Sequence, residues 1–328
     1  MSWDHLDEDD VRIRPNPKGS RPRTKRRPSF ENAPLGMVLE VHLARYRVLT
    51  DAGVEILATL AKELRSDGCV VGDRVALDGD VTGEKGSLAR IVRIEPRSTI
   101  LKRAAEDGEE QEQNIVANAD QMVIVMAAAN PEPRPRLVDR YLVAARTAGL
   151  RPILVITKCD LGDPGPFISQ FEDLDLEIIQ TRKDKPELAR LGELMRDHVS
   201  VFVGHSGVGK STLINLLTGE DRSTGVVNEA TGKGKHTSSS AVAIEVKGGW
   251  IIDTPGIRSF GLSTISVAEI LAGFPDLSAV AGRCPRDCSH LAGSPDCELD
   301  VAAHAGEIRP SRLDSLRRLI DSVSSVDF

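Results

Sequence analysis

Aromatic side chains are scarce in this 328-residue chain, where Phe, Tyr and Trp together make up 3%. Proteins that capture single-stranded nucleic acid stack bases on such rings, so the composition argues against a stacking platform. Long apolar runs are absent too: none approaches the roughly 18 residues that a membrane-spanning helix needs. The first ten residues, Met1 to Asp10, are acidic and lack the apolar core of a secretory signal. Cysteine is limited to five residues, an odd number, with three crowded near the C-terminus. That excludes a disulfide-built scaffold and points to a reducing compartment with metal binding at the cluster. The expected setting is the cytoplasm, without a membrane partner.

Basic charge is in the minority, giving a net charge of −7, but it is unevenly spread. Arg12 to Arg27 carries eight Lys/Arg and no acid, which leaves the remainder of the chain at −15. Such a Pro-rich, nearly apolar-free segment cannot bury a core and is expected to be a disordered arm over residues 1–33. It suits a nucleic-acid backbone, or serves only as a solubilising tail.

One stretch organises the rest. Gly204-His205-Ser206-Gly207-Val208-Gly209-Lys210-Ser211-Thr212 follows an apolar run, Val199 to Val203, and opens a helical one, Leu213 to Leu217. This is G-x-x-x-x-G-K-[ST] between a strand and a helix, a phosphate-binding P-loop. The glycines let backbone N–H groups curl round a polyphosphate, and the helix N-terminus adds its positive dipole end. Lys210 is placed to reach the outer phosphates and Ser211 to hold Mg²⁺.

Short alternating runs between Gly36 and Ile94, separated by Asp/Gly turns, predict a small β-barrel over residues 34–100, of OB type. Tyr46 is the sole aromatic available between residues 34 and 100, so contact with folded RNA through charge and shape fits better than strand capture. An acidic stretch, Glu106 to Glu112, reads as an exposed linker or loop. Buried-type strands at Met122–Ala129, Ile153–Ile156 and Leu176–Ile179 alternate with helical patterns at Pro135–Ala148 and Leu188–His198. That alternation predicts a parallel sheet with helices on both faces.

Thr157-Lys158-Cys159-Asp160 follows the second of these strands. Guanine presents two donors on one edge, and a fixed carboxylate at Asp160 can accept both. The Lys158 stem can cover the base face. Asp253-Thr254-Pro255-Gly256 follows a further apolar strand, Trp250 to Ile252. Asp253 can hold Mg²⁺ through water, and the Gly256 N–H can sense a γ-phosphate. Between these motifs, Gly225 to Ser240 reads as a switch loop, with Thr237 a second Mg²⁺ ligand.

Base motif before P-loop is the reverse of the usual order, so the domain over residues 101–274 is expected to be circularly permuted. With these motifs the chain resembles the circularly permuted, ribosome-small-subunit-dependent GTPases of bacteria, the RsgA family. The resemblance covers roughly residues 34–328. It rests on the permuted set above, on Asn114 to Gln121, on Gly232 to Thr237, and on a cysteine cluster. It implies a multidomain protein: an N-terminal OB barrel, a permuted α/β P-loop GTPase domain, and a zinc-bearing helical domain over residues 275–328. It also implies hydrolysis of GTP stimulated by the small ribosomal subunit, late in that subunit's maturation, with rRNA as a contact. A monomer is expected.

The cluster is Cys284, Cys288, His290 and Cys297, three sulfurs and one imidazole within fourteen residues. Cys₃His is a closed structural zinc set, with free thiols as the alternative. The family pattern is C-x4-C-x-H-x5-C, whereas this chain has C-x3-C-x-H-x6-C. Cys69 and Cys159 read as small apolar residues. Helices are expected at Val267–Leu271, Val301–Ile308 and Ser311–Val323, the last with Ser311 as N-cap.

After D-x-x-G, where many GTPases carry a water-orienting Gln, stand Ile257 and Arg258. His236, in the switch loop, is the candidate for the missing group; a solvated or RNA-contacting His236 is the alternative. Two other functions remain on the residues alone: a P-loop phosphotransferase, and an RNA-binding protein with a vestigial nucleotide site.

Overall fold

A computed structural model describes residues 30–65, 68–103, 113–172, 174, 176–184, 186–219, 241–254 and 266–324. His236, Thr237, Gly256, the basic arm, the acidic stretch and the switch segment lie outside the described residues. Ala33 to Phe328 forms one compact unit.

Five strands make the expected barrel: β1 (Leu35–His42), β2 (Arg45–Thr50), β3 (Glu55–Leu60), β4 (Arg74–Gly79) and β5 (Ala89–Ile94). The order β1-β2-β3-β5-β4 closes because β4 pairs back onto β1, and β3 runs parallel to β5. Closure follows from the alternating pattern: Val38, Val48, Ile56, Val75, Leu77 and Ile91 all point inward and are buried. Tyr46 belongs to this interior, 7% exposed, so the one aromatic of the barrel is packing and offers no stacking surface.

The exit from the barrel is clamped. Asp73 is fully buried and receives Arg97 in a two-pronged pair, Nε to Oδ1 at 2.7 Å and Nη2 to Oδ2 at 2.8 Å. Arg97 then donates to the Gly68 carbonyl, and Val70 N–H donates to Asp73. Beyond it, β6 (Ile100–Arg103) and β7 (Gln113–Ala117) form a two-stranded hairpin. The pairing sets Ile100 against Ala117 and Leu101 against Val116, with Leu101 and Val116 buried.

The second sheet region takes β8 (Gln121–Ala127), β9 (Arg151–Thr157), β10 (Glu177–Gln180), β11 (Val199–Val203), β12 (Val242–Val246) and β13 (Gly249–Asp253). Its order is β10-β9-β8-β11-β13-β12; the first five are parallel and β12 is antiparallel to β13. The expected strands are all parallel; β12, not foreseen, is added antiparallel because Lys247-Gly248 makes a tight reversal into β13. A single register pair, Glu40 with Val242, joins β12 to β1 of the barrel.

Period-two alternation along β8 divides the core. Met122, Ile124 and Met126 face α1 (Pro135–Thr147), while Val123, Val125 and Ala127 face α3 (Leu188–Leu194) and α4 (Lys210–Thr218). A short helix, α2 (Gly165–Ile168), follows β9. The expected helix to His198 stops at Leu194, because Asp197 takes a left-handed backbone on the way into β11.

Four more helices follow: α5 (Val267–Ala272), α6 (Pro275–Ala281), α7 (Glu298–His304) and α8 (Pro310–Ser324). Ser266 and Glu269 close a reciprocal capping box on α5. The helix expected over Val301–Ile308 begins three residues earlier, capped at Cys297, and ends at His304 before Gly306, whose φ is +75°. Ser311 is not an N-cap, since α8 starts at Pro310, a residue suited to the first helical turn. Leu313, Leu316 and Ile320 are buried in the same core as α1, as packing residues. Arg312 pins the helices together: it donates to Asp139 of α1 at 3.1 Å and to Asp276 of α6 at 3.2 Å, over the Phe274 ring at 4.4 Å. Among the described residues no helix is long and apolar enough to cross a membrane.

Candidate nucleotide cleft and metal cluster

The P-loop runs from the carboxyl end of β11 into α4. Its glycines are needed where they stand. A Cβ on Gly204 would sit 2.5 Å from the Val125 carbonyl oxygen, and Gly209, at φ +89°, caps α4 in a left-handed conformation that side chains resist. Ser206, Gly207, Ser211 and Thr212 lie exposed, Val208 is buried, and Gly204, His205, Gly209 and Lys210 are half-buried. One side of the loop is therefore open to solvent.

Thr157-Lys158-Cys159-Asp160 leaves β9, two strands away across β8, at the same carboxyl edge. Ligands in such sheets bind at that edge. Two side chains tie this loop to the P-loop. The buried Thr157 hydroxyl donates to the Val208 carbonyl, and Lys158 Nζ donates to Gly207 O at 2.7 Å and to Asn130 O. Asp160 is exposed, with Oδ1 accepting the Lys183 N–H at 3.3 Å. Cys159 N–H donates to Thr181 O, and burial pushes its thiol up, out of the reactive range.

Of the third motif, Asp253 and Thr254 are described. Asp253 ends β13, and its Oδ1 pairs with Lys210 Nζ. Thr254 donates to the Phe202 carbonyl at 2.7 Å, fixing the start of the D-T-P-G turn against β11. The structure thus brings Thr157, Lys158, Asp160, Lys210 and Asp253 to one edge. Both ring nitrogens of His205 are buried without a hydrogen-bond partner. Burial, then Arg134 and Lys158, depress its pKa, so the imidazole is neutral at pH 7.

Sequence reasoning missed the loop after β10. Thr181 and Lys183 supply the backbone that orients Cys159 and Asp160. The available signal was their position at the carboxyl end of the strand next to β9.

Away from the cleft, the ligand atoms of Cys284, Cys288, His290 and Cys297 all lie within 4.8 Å of one another. A zinc ion with bonds of about 2.3 Å to sulfur needs ligands roughly 4 Å apart, so the set matches a tetrahedral site despite its altered spacing. His290 reaches the cluster through a left-handed backbone, φ +58°, and its Nδ1 is buried without a hydrogen-bond partner. Burial and Arg317 lower its pKa, keeping the ring neutral as a ligand must be.

The profile of a family described as RsgA GTPase matches residues 94–263. A small ribosomal subunit biogenesis GTPase RsgA of Chlorobaculum tepidum is 36% identical over 305 residues, 88% of this chain and 98% of that one. One from Pseudomonas putida is 40% identical over 265 residues, covering 78% and 75%. Among solved structures, YjeQ from Thermotoga maritima superposes with a TM-score of 0.69 at 26% identity, covering 89% of this chain and 98% of that one. A circularly permuted GTPase, YloQ, shares the fold with the same TM-score at 24% identity. With the permuted strand order and the laced cleft, these similarities make the chain a member of the RsgA GTPase family.

Proposed function

We propose that this chain hydrolyses GTP to GDP and phosphate in the service of small-ribosomal-subunit maturation, with the subunit and its rRNA as partner and stimulant. The observation that carries this is the lacing of base loop to P-loop through Thr157 and Lys158, which sets Asp160 and Lys210 along one cleft. The curated relatives named above are small ribosomal subunit biogenesis GTPases.

In this reading Asp160 accepts the guanine N1–H and N2–H, and the Lys158 stem covers the base. The N–H groups of Gly204 to Thr212 cradle the phosphates, and Lys210 exchanges its Asp253 partner for phosphate oxygens. Ser211, Asp253 and, in the switch loop, Thr237 are the hard oxygen ligands that fit Mg²⁺, which when bound neutralises charge between the outer phosphates. Gly256 senses the γ-phosphate, and His236 orients water in place of the absent Gln. Zinc at Cys284, Cys288, His290 and Cys297 is structural, since four protein ligands leave no open position. The working division is an arm (1–33), barrel (34–100), GTPase domain (101–274) and zinc domain (275–328), in a cytoplasmic monomer.

The test is hydrolysis of GTP, and of ATP as control, with and without purified small subunits. Stimulation confined to GTP is expected. Equal use of ATP, or indifference to the subunit, overturns the proposal. His236→Ala is expected to abolish the stimulated rate while leaving GTP affinity nearly intact.

A further inference from the structure

Helices α1 and α8 border a cavity of about 460 Å³ whose lining holds three arginines and two aspartates. Arg136 and Arg140 reach it from α1 and Arg318 from α8. Arg136 and Arg140 are four residues apart, so like charges share one helix face, an arrangement an isolated helix disfavours. Among the described residues, none of the three has a carboxylate within ion-pair distance. Arg318 donates to Ser315 Oγ at 3.0 Å, while its Nε is buried with no hydrogen-bond partner.

The acids nearby do not neutralise this set. Asp139, on the floor, is already held by Arg312 at 3.1 Å. Asp321 is an exposed lining residue on α8, one carboxylate against three guanidinium groups. Arg318 acts on Asp139 through charge alone, beyond ion-pair distance, so the guanidinium groups outnumber the carboxylates and none is closed off by a salt bridge, an arrangement that suits an anion. Guanidinium forks match phosphate oxygens in geometry as well as charge. The cavity falls within the roughly 300–1,000 Å³ of small-molecule sites, room for a phosphate with an attached sugar. No aromatic lines it, so it offers nothing on which a base could stack.

We propose that this cavity is a socket for a backbone phosphate of RNA, a second point of attachment apart from the nucleotide cleft. The inference rests on the reading that the partner is the small subunit and its rRNA. Phosphate contacts fix register without reading sequence, so the socket orients the α1–α8 face on folded RNA.

The test uses the full chain and purified small subunits, with affinity measured across a salt series. Arg136→Gln, at an exposed position, and the double variant Arg140→Gln/Arg318→Gln are compared with the parent. Each guanidinium removed is expected to flatten the log K against log salt slope by about one, and the double variant to bind about tenfold more weakly. GTP hydrolysis without subunits should be unchanged in both. Parental affinity and slope in both variants overturn the socket. Tight binding of inorganic phosphate that the double variant loses, with subunit affinity unchanged, overturns the RNA assignment in favour of a free-anion site. A parent chain that fails to bind subunits overturns the partner reading itself, and the socket with it.

Discussion

The Thr157 hydroxyl donates to the backbone carbonyl of Val208, joining two motifs that lie 51 residues apart in the chain. Met126 O stands 3.2 Å from the same hydroxyl, whose single hydrogen serves the nearer Val208 carbonyl. Thr157→Val keeps the shape and removes the donor. Leaving a buried carbonyl unsatisfied costs about 1–3 kcal/mol. We expect that loss in chemical denaturation, with weaker binding of a fluorescent GDP analogue. Thr157→Ser should keep both near the parent. Parental nucleotide affinity in Thr157→Val would show that this tie does not set the cleft.

Lys210 and Asp253 face each other across the cleft, with side chains 12% and 24% exposed. Hydrogen bonds to charged groups contribute roughly 1.5–3 kcal/mol, so Lys210→Ala should lower GTP affinity by about one to two orders of magnitude. The expected split is informative: titration calorimetry shifts strongly, whereas the thermal midpoint without nucleotide moves little, because Asp253 keeps access to water. A large fall in the nucleotide-free midpoint would make the pair a structural one.

Arg312 is the opposite case. Its side chain is 6% exposed and that of Asp139 3%, so the ion pair is sealed between α8 and α1. Removing one partner of such a pair strands the other charge, at about 3–5 kcal/mol. Arg312→Met should lose that much, and Arg312→Met/Asp139→Leu should recover most of it. Additive losses in the double-mutant cycle would deny the coupling.

Much of this was legible in the sequence because the informative residues are local. A P-loop needs its glycines, lysine and serine contiguous, and a buried strand such as Met122–Ala127 shows itself by apolar length alone. Tertiary pairing was less visible. Strand β12 is only five residues long, and nothing within Val242–Val246 tells that its register partners are Asp253 to Gly249 on one side and Glu40 on the other. The hairpin of β6 and β7 was hidden by the acidic stretch between its strands. Thr181 and Lys183 act through backbone groups, which carry no residue-type signal. Helix ends were misplaced where a left-handed residue, Asp197 or Gly306, decided the stop.

The cluster of Cys284, Cys288, His290 and Cys297 yields the last prediction. The loop from Cys284 to Cys297 contains no regular element, so its shape depends on what joins those four side chains. Arg317 braces the same loop, donating to His290 O at 3.0 Å and to Asp300 at 2.8 Å, which ties it to α7 and α8. Binding a metal to the folded set stabilises in proportion to its affinity, and stripping it withdraws that stability. We expect one zinc per chain by mass spectrometry of the purified protein. A strong chelator should lower the thermal midpoint, and added zinc should restore it. His290→Ala should lose the metal and show the lower midpoint without chelator. GDP affinity should survive in each case, since no ligand of the cluster touches the cleft. A metal-free protein with an unshifted midpoint would leave the four side chains as ordinary packing, and the loop would then owe its conformation to Arg317 and to its own internal hydrogen bonds.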